Sequence, residues 1–84
     1  MVTLLYFARL RETLGLSSEQ VELPATVQTI GQITDWLRQR GGAWESELAP
    51  GRSVRAAVNQ VMASADSAVN AGDEIAFFPP VTGG

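Results

Sequence analysis

Gly72-Asp73-Glu74-Ile75-Ala76-Phe77-Phe78-Pro79-Pro80-Val81-Thr82-Gly83-Gly84 is the stretch on which the fold turns. Asn70-Ala71-Gly72-Asp73 is a strong turn signal, and Glu74 to Phe78 follows it as an apolar, aromatic strand. Successive strand side chains alternate, so Phe77 and Phe78 point to opposite faces of any sheet they join. One belongs in the core; the other is exposed or lies under a partner. Pro79 and Pro80 stiffen the exit from the strand and favour a polyproline-II path. Gly83 and Gly84 have no Cβ, so the last two residues can extend through a slot too narrow for any side chain. The six residues after Phe78 reach roughly 20 Å when extended. Such a tail, residues 79–84 beyond a folded domain of residues 1–78, suits a carboxylate delivered into another protein's active site.

Working outward, the counterpart of the last strand lies at the other end of the chain. Val2 to Ala8 is apolar on both faces, with Leu5 and Phe7 on one and Leu4 and Tyr6 on the other. That suits a central strand, although pattern alone does not separate so short a run from a helix. Arg9 to Gly15 breaks the pattern and places Leu10 and Leu14 at helical spacing. Glu19 to Leu23 alternates polar and apolar residues up to Pro24, an edge-type strand in a hairpin-like pair with the first.

The clearest helix begins at Thr29-Ile30-Gly31-Gln32, which fits a capping box. Ile30, Ile33 and Leu37 form one apolar stripe, Arg38 and Arg40 suit the carbonyl end of the dipole, and Gly41-Gly42 stops the helix. Trp36, at the edge of the stripe, and Trp44, as a plug over the open end of the core, read as packing residues. Val54 to Asn59 is a third strand, continued by Val61-Met62-Ala63 beyond a turn at Asn59-Gln60. A helix after a hairpin must cross over before the chain re-enters the sheet. The two most apolar strands, first and last, then lie side by side and parallel at the centre. The expected fold is α+β: a β-grasp, ubiquitin-like mixed sheet with one main helix packed on one face.

Composition narrows the chemistry. The 84 residues provide one modest core, and 45% hydrophobic with 18% charged residues is ordinary globular composition. No apolar run is long enough to span a bilayer and no signal segment opens the chain, which reads as cytoplasmic. There is no cysteine, histidine or lysine; the cations are Arg9, Arg11, Arg38, Arg40, Arg52 and Arg55. Thiolate, imidazole and Schiff-base chemistry are therefore excluded, with the commonest metal sites. A net charge of −3 and a pI near 4.6 argue against nucleic acid and for steering toward a basic partner surface.

Gly51-Arg52-Ser53 lacks the lysine of a phosphate loop, and Ser46 stands where such a loop has its first glycine. Asp73 and Glu74 read as turn residues, Glu45 and Glu47 as a solvated face. Nothing assembles a nucleophile, a base and an oxyanion hole. The chain is expected to perform no catalysis of its own, and its terminal carboxylate stands out as the reactive group.

Phe7-Ala8-Arg9-Leu10-Arg11-Glu12, Ala56-Ala57-Val58-Asn59-Gln60 and the closing segment from Gly72, in that order along the chain, resemble the molybdopterin synthase small subunit family (MoaD) of ubiquitin-like sulfur carriers. The ending FFPPVTGG is the most specific part. The resemblance implies that a partner adenylyltransferase uses ATP and magnesium to convert the Gly84 carboxylate into an acyl-adenylate. A sulfur donor protein then leaves a Gly84 thiocarboxylate. Pro79, Pro80, Val81, Thr82 and Gly83 enter the large synthase subunit, and sulfur passes to cyclic pyranopterin monophosphate for molybdenum cofactor biosynthesis. This chain binds no cofactor of its own in that scheme, and two small subunits join two large ones in a heterotetramer.

The resemblance also implies an apolar docking patch of Phe7, Met62 and Phe78 with a polar contact at Arg11. Core packing is the other role open to each phenylalanine. A thiazole-pathway sulfur carrier and a ubiquitin-like protein modifier share the fold and the diglycine, and an interaction domain with an idle tail is the blandest alternative.

Overall fold

The computed structural model describes residues 1–80. Its strands are β1 (Val2–Tyr6), β2 (Ser18–Val21), β3 (Arg55–Val58), β4 (Val61–Ala63) and β5 (Glu74–Phe78), and its helices are α1 (Ala8–Leu14), α2 (Ile30–Arg38) and α3 (Ala43–Glu47). The five strands form one sheet in the order β2-β1-β5-β3-β4. β5 lies at the centre beside β1, and these two run parallel with Leu4 opposite Ile75 and Tyr6 opposite Phe77. The other pairings are antiparallel. This is the mixed β-grasp sheet expected from the two apolar strands.

Every second residue of the central strands is buried under the helices: Val2, Leu4 and Tyr6 from β1, Ile75 and Phe77 from β5. Ile30, Ile33 and Leu37 from α2 complete that core. The capping box forms, with Gln32 N–H donating to Thr29 Oγ1 and Thr29 N–H to Gln32 Oε1. Gly31 lies one residue into the helix, where a Cβ would stand 3.2 Å from the Ala65 carbonyl oxygen; its absence lets α2 meet the turn after β4.

Three elements differ from the sequence reading. β1 ends at Tyr6 because Ala8 adopts a left-handed φ of 53°, which turns the chain into α1 at a cost of roughly 1–2 kcal/mol. β2 stops at Val21 rather than Leu23, since Val21 already faces Val2 at the start of β1. α3 was not expected at all. Asn59 and Gln60, both at positive φ, form the two-residue turn between β3 and β4.

Trp44 closes the open end of the core with its ring edge-on to Tyr6, centroids 5.3 Å apart. Arg40 lies 4.4 Å above the Trp44 ring and donates two hydrogen bonds, 2.8 and 3.0 Å, to the Glu19 carboxylate. Tyr6 Oη donates to the same carboxylate at 2.8 Å. Burial, then the bond to Glu19, drives the Tyr6 hydroxyl far above its ordinary pKa.

Burial alone would raise the Glu19 pKa, but the bonds from Arg40 and Tyr6 and the Arg40 charge outweigh it and hold the carboxyl below its usual value. A folded pKa below the unfolded one means stabilisation that is complete above the unfolded value, about 4.3, and lost as pH falls through the folded value. Thermal melts should therefore show Tm dropping as pH falls below about 4.3, and Arg40→Gln should flatten that drop. An unchanged acid slope in the variant would remove Glu19 from the explanation.

Candidate functional site

The helices cover one face of the sheet and leave the other open. Strand register assigns residues to that open face. Leu5, Ala76, Ala57 and Met62 follow one another across β1, β5, β3 and β4, and Phe78 stands beside Arg55 in the neighbouring row. Phe7 continues β1 in extended conformation, its N–H donating to the Phe77 carbonyl at 3.1 Å, and alternation turns its side chain to the same open face. Phe7 is 46% exposed and Met62 62%, whereas Phe77 is 1% exposed and stacks on Tyr6. The two terminal phenylalanines thus divide as alternation requires: Phe77 is core, and Phe78 is half-buried on the open side. Phe7, Met62 and Phe78 share one apolar face, and Arg11 is exposed on α1 beside the tail end of the sheet.

At the end of β5, Pro79 and Pro80 line a groove of about 390 Å³ together with Leu10, Val54, Arg9 and Arg52. Its floor holds a feature the sequence reading had wrong. Glu47 is not on a solvated face: it is 5% exposed, the one buried charged residue among those described. Arg9 grips its carboxylate at 3.0 and 3.2 Å, and Arg52 Nη2 donates to Oε2 at 2.8 Å. A carboxylate leaves water at tolerable cost only when such donors satisfy it. No local pattern marks this partnership, since Arg9 lies 38 positions before Glu47 in the chain. Glu45, two residues away, is exposed as expected. Arg52 serves this ion pair rather than a phosphate loop.

Asp73 is a turn residue, accepting from Asn70 N–H and Asn59 Nδ2; these bonds lower its pKa. Val81, Thr82, Gly83 and Gly84 lie outside the described residues. Among the described residues no group of three His, Cys, Asp or Glu side chains is placed to hold a metal ion, and no helix is long and apolar enough to cross a membrane.

Relatives and neighbours agree with this architecture. The molybdopterin synthase sulfur carrier subunit of Haemophilus influenzae is 42% identical over 84 residues, covering 100% of both chains. The solved structure of SAMP1, a small archaeal modifier protein of Haloferax volcanii, superposes with a TM-score of 0.78 at 32% identity, covering 99% of this chain and 98% of that one. A Helicobacter pylori complex of subunits 1 and 2 of the molybdopterin-converting factor contains the same fold, at TM-score 0.65 and 19% identity over 99% of this chain and 97% of that one. The ThiS family model matches residues 4–84. With the β-grasp core, the open apolar face and the tail root in their places, the chain belongs to the ThiS family.

Proposed function

We propose that this chain is the sulfur carrier subunit of a molybdopterin synthase and that Gly84 is its reacting residue. The observation behind the reading is the route of β5: the central strand leaves the sheet between an open apolar face and an arginine-lined groove, then enters Pro79-Pro80 on its way to the diglycine. The chain has no cysteine, histidine or lysine nucleophile, and the diglycine, which has no side chains, makes the Gly84 carboxylate the one easiest to deliver into a narrow partner site.

A free carboxylate is a poor electrophile. The adenylyltransferase, using ATP and magnesium, joins it to AMP as a mixed anhydride and releases pyrophosphate. Sulfur from a donor protein displaces AMP at the carbonyl and leaves the thiocarboxylate, anionic and soft enough to act as a nucleophile near neutral pH. The tail then enters the large subunit, whose groups transfer the sulfur to cyclic pyranopterin monophosphate. Each attack leaves the Gly84 carbonyl bonded through sulfur to the pterin; water cleaves that carbon–sulfur bond, leaving the sulfur on the pterin and the carrier as carboxylate, and two such transfers build the dithiolene. Phe7, Met62 and Phe78 dock on the large subunit, with Arg11 at their edge. Two carriers and two large subunits make the working assembly. The Haemophilus influenzae relative's name and the subunit pairing in the Helicobacter pylori complex support this choice of partner.

Intact mass after incubation with ATP, the adenylyltransferase and a sulfur donor should report exchange of one oxygen for sulfur at Gly84. Mass unchanged under conditions that load a known carrier would refute the reading. The likeness to SAMP1 favours one second reading, a protein modifier. It differs in its product: isopeptide conjugates on other proteins instead of a complex with the large subunit in pull-down.

A further inference from the structure

Glu47 has no part in the chemistry proposed above, yet it is the one buried charged side chain among the described residues. Three segments meet on its carboxylate. Arg9, near the start of α1, bonds both oxygens, from Nε to Oε1 at 3.0 Å and from Nη2 to Oε2 at 3.2 Å. Arg52, in the loop between α3 and β3, donates from Nη2 to Oε2 at 2.8 Å. Glu47 itself closes α3. Among the described residues no other side-chain hydrogen bond joins α1, α3 and that loop. The same segments wall the groove that Pro79 and Pro80 line, with Leu10 from α1 and Val54 from the loop.

The strand ladder ends at this point. Phe78 opposite Arg55 is the last pair of β5 with β3, and proline has no N–H to extend it. Both prolines are half-buried, so the side chains beside them set their direction. Their fixed φ passes that direction on to the residues that follow. Arginine stems cover apolar surface well, but an unpaired arginine samples many rotamers. A carboxylate that holds both heads removes that freedom and makes the two stems a fixed wall. A buried ion cluster adds little net stability, because desolvation offsets most of the attraction. Its effect is on geometry.

We infer that Glu47 is a positioning residue for sulfur delivery. By holding Arg9 and Arg52 it sets the wall against which Pro79-Pro80 rest, and so the direction in which the diglycine leaves the sheet. A tail already aimed at the partner loses less freedom on insertion, which strengthens binding without a new contact. The inference rests on the carrier reading, because direction matters only to a tail that enters a partner.

The test is a double-mutant cycle between Glu47 and the tail, read as the dissociation constant for the purified large subunit. The chains compared are the parent and Glu47→Gln, each with and without residues 81–84. The buried core runs from Val2 to Phe77, so the shortened chains keep it. Glutamine matches glutamate in shape but has one acceptor oxygen and no charge, so it cannot hold both arginines. Glu47→Gln should weaken binding about fivefold to tenfold in the full-length chain and less than about twofold in the shortened one. A role confined to the fold or to the docking face would weaken both alike. The second variant is Arg9→Met/Glu47→Leu/Arg52→Met. Apolar replacement of a buried ion cluster is often neutral for stability, and methionine stems have no fixed partner. It should melt near the parent and show the same loss, again confined to the full-length chain. Equal loss with and without the tail, or no loss in either variant, overturns the positioning role and leaves the carrier reading standing. A parent that binds no large subunit, with or without the tail, overturns both.

Discussion

Deleting Gly84 is expected to abolish sulfur delivery while leaving the thermal unfolding transition where it is. The buried core ends at Phe77, so stability should not depend on the last residue. Reactivity should depend on it entirely. Removing one residue withdraws the carboxylate by up to about 3.5 Å. Errors of about 1 Å in the position of a reacting atom already cost on the order of a hundredfold in rate. The shortened chain should still bind the large subunit through its open face, yet show no thiocarboxylate by mass and no sulfurated pterin. Pterin sulfuration by the truncated chain with purified partners would show that the carrier mechanism is wrong. Binding retained without transfer separates the docking role of the domain from the chemical role of the tail.

The second large effect is on stability. Phe77→Ala should cost about 3–5 kcal/mol, because the ring is fully buried and stacks on Tyr6 with centroids 6.0 Å apart. A chain of this size has roughly 4–12 kcal/mol in total, so the variant should lose a large share of its stability and melt well below the parent. Phe78→Ala, one residue on, should cost much less stability but weaken large-subunit binding, since its ring is half-buried on the open face. Circular-dichroism melts and binding isotherms of the two variants check the contrast. Equal losses of stability would mean that the two faces are not distinct.

What the sequence disclosed were features whose causes are local or repeat along an element. The Thr29–Gln32 capping box, the Ile30-Ile33-Leu37 stripe and the Asn59-Gln60 turn each lie within a few residues of one another. The central pairing of β1 with β5 followed from their apolar character together with the rules of chain connection. Alternation separated Phe77 from Phe78, but only the Tyr6–Phe77 register decides which ring the helices cover. Glu47 was misread because its burial depends on Arg9, 38 positions earlier, and no local pattern encodes that partnership. The family resemblance pointed to Phe7, Met62 and Phe78 as one patch, and register places all three on one side of the sheet.

The parallel union of β1 and β5 also sets the order of events at birth. Thr3 is paired with Glu74, roughly seventy residues away, and contacts so distant in sequence slow folding because a long loop must close first. A nascent chain that has made β1, β2 and α2 still lacks the strand that joins β1 to β3, and synthesis adds only about 5–20 residues each second. The ribosome therefore releases the keystone of the sheet almost together with the tail. Until β5 pairs, Phe78 is absent from the open face and β1 and β3 are unjoined, so that face is assembled only when the sheet is.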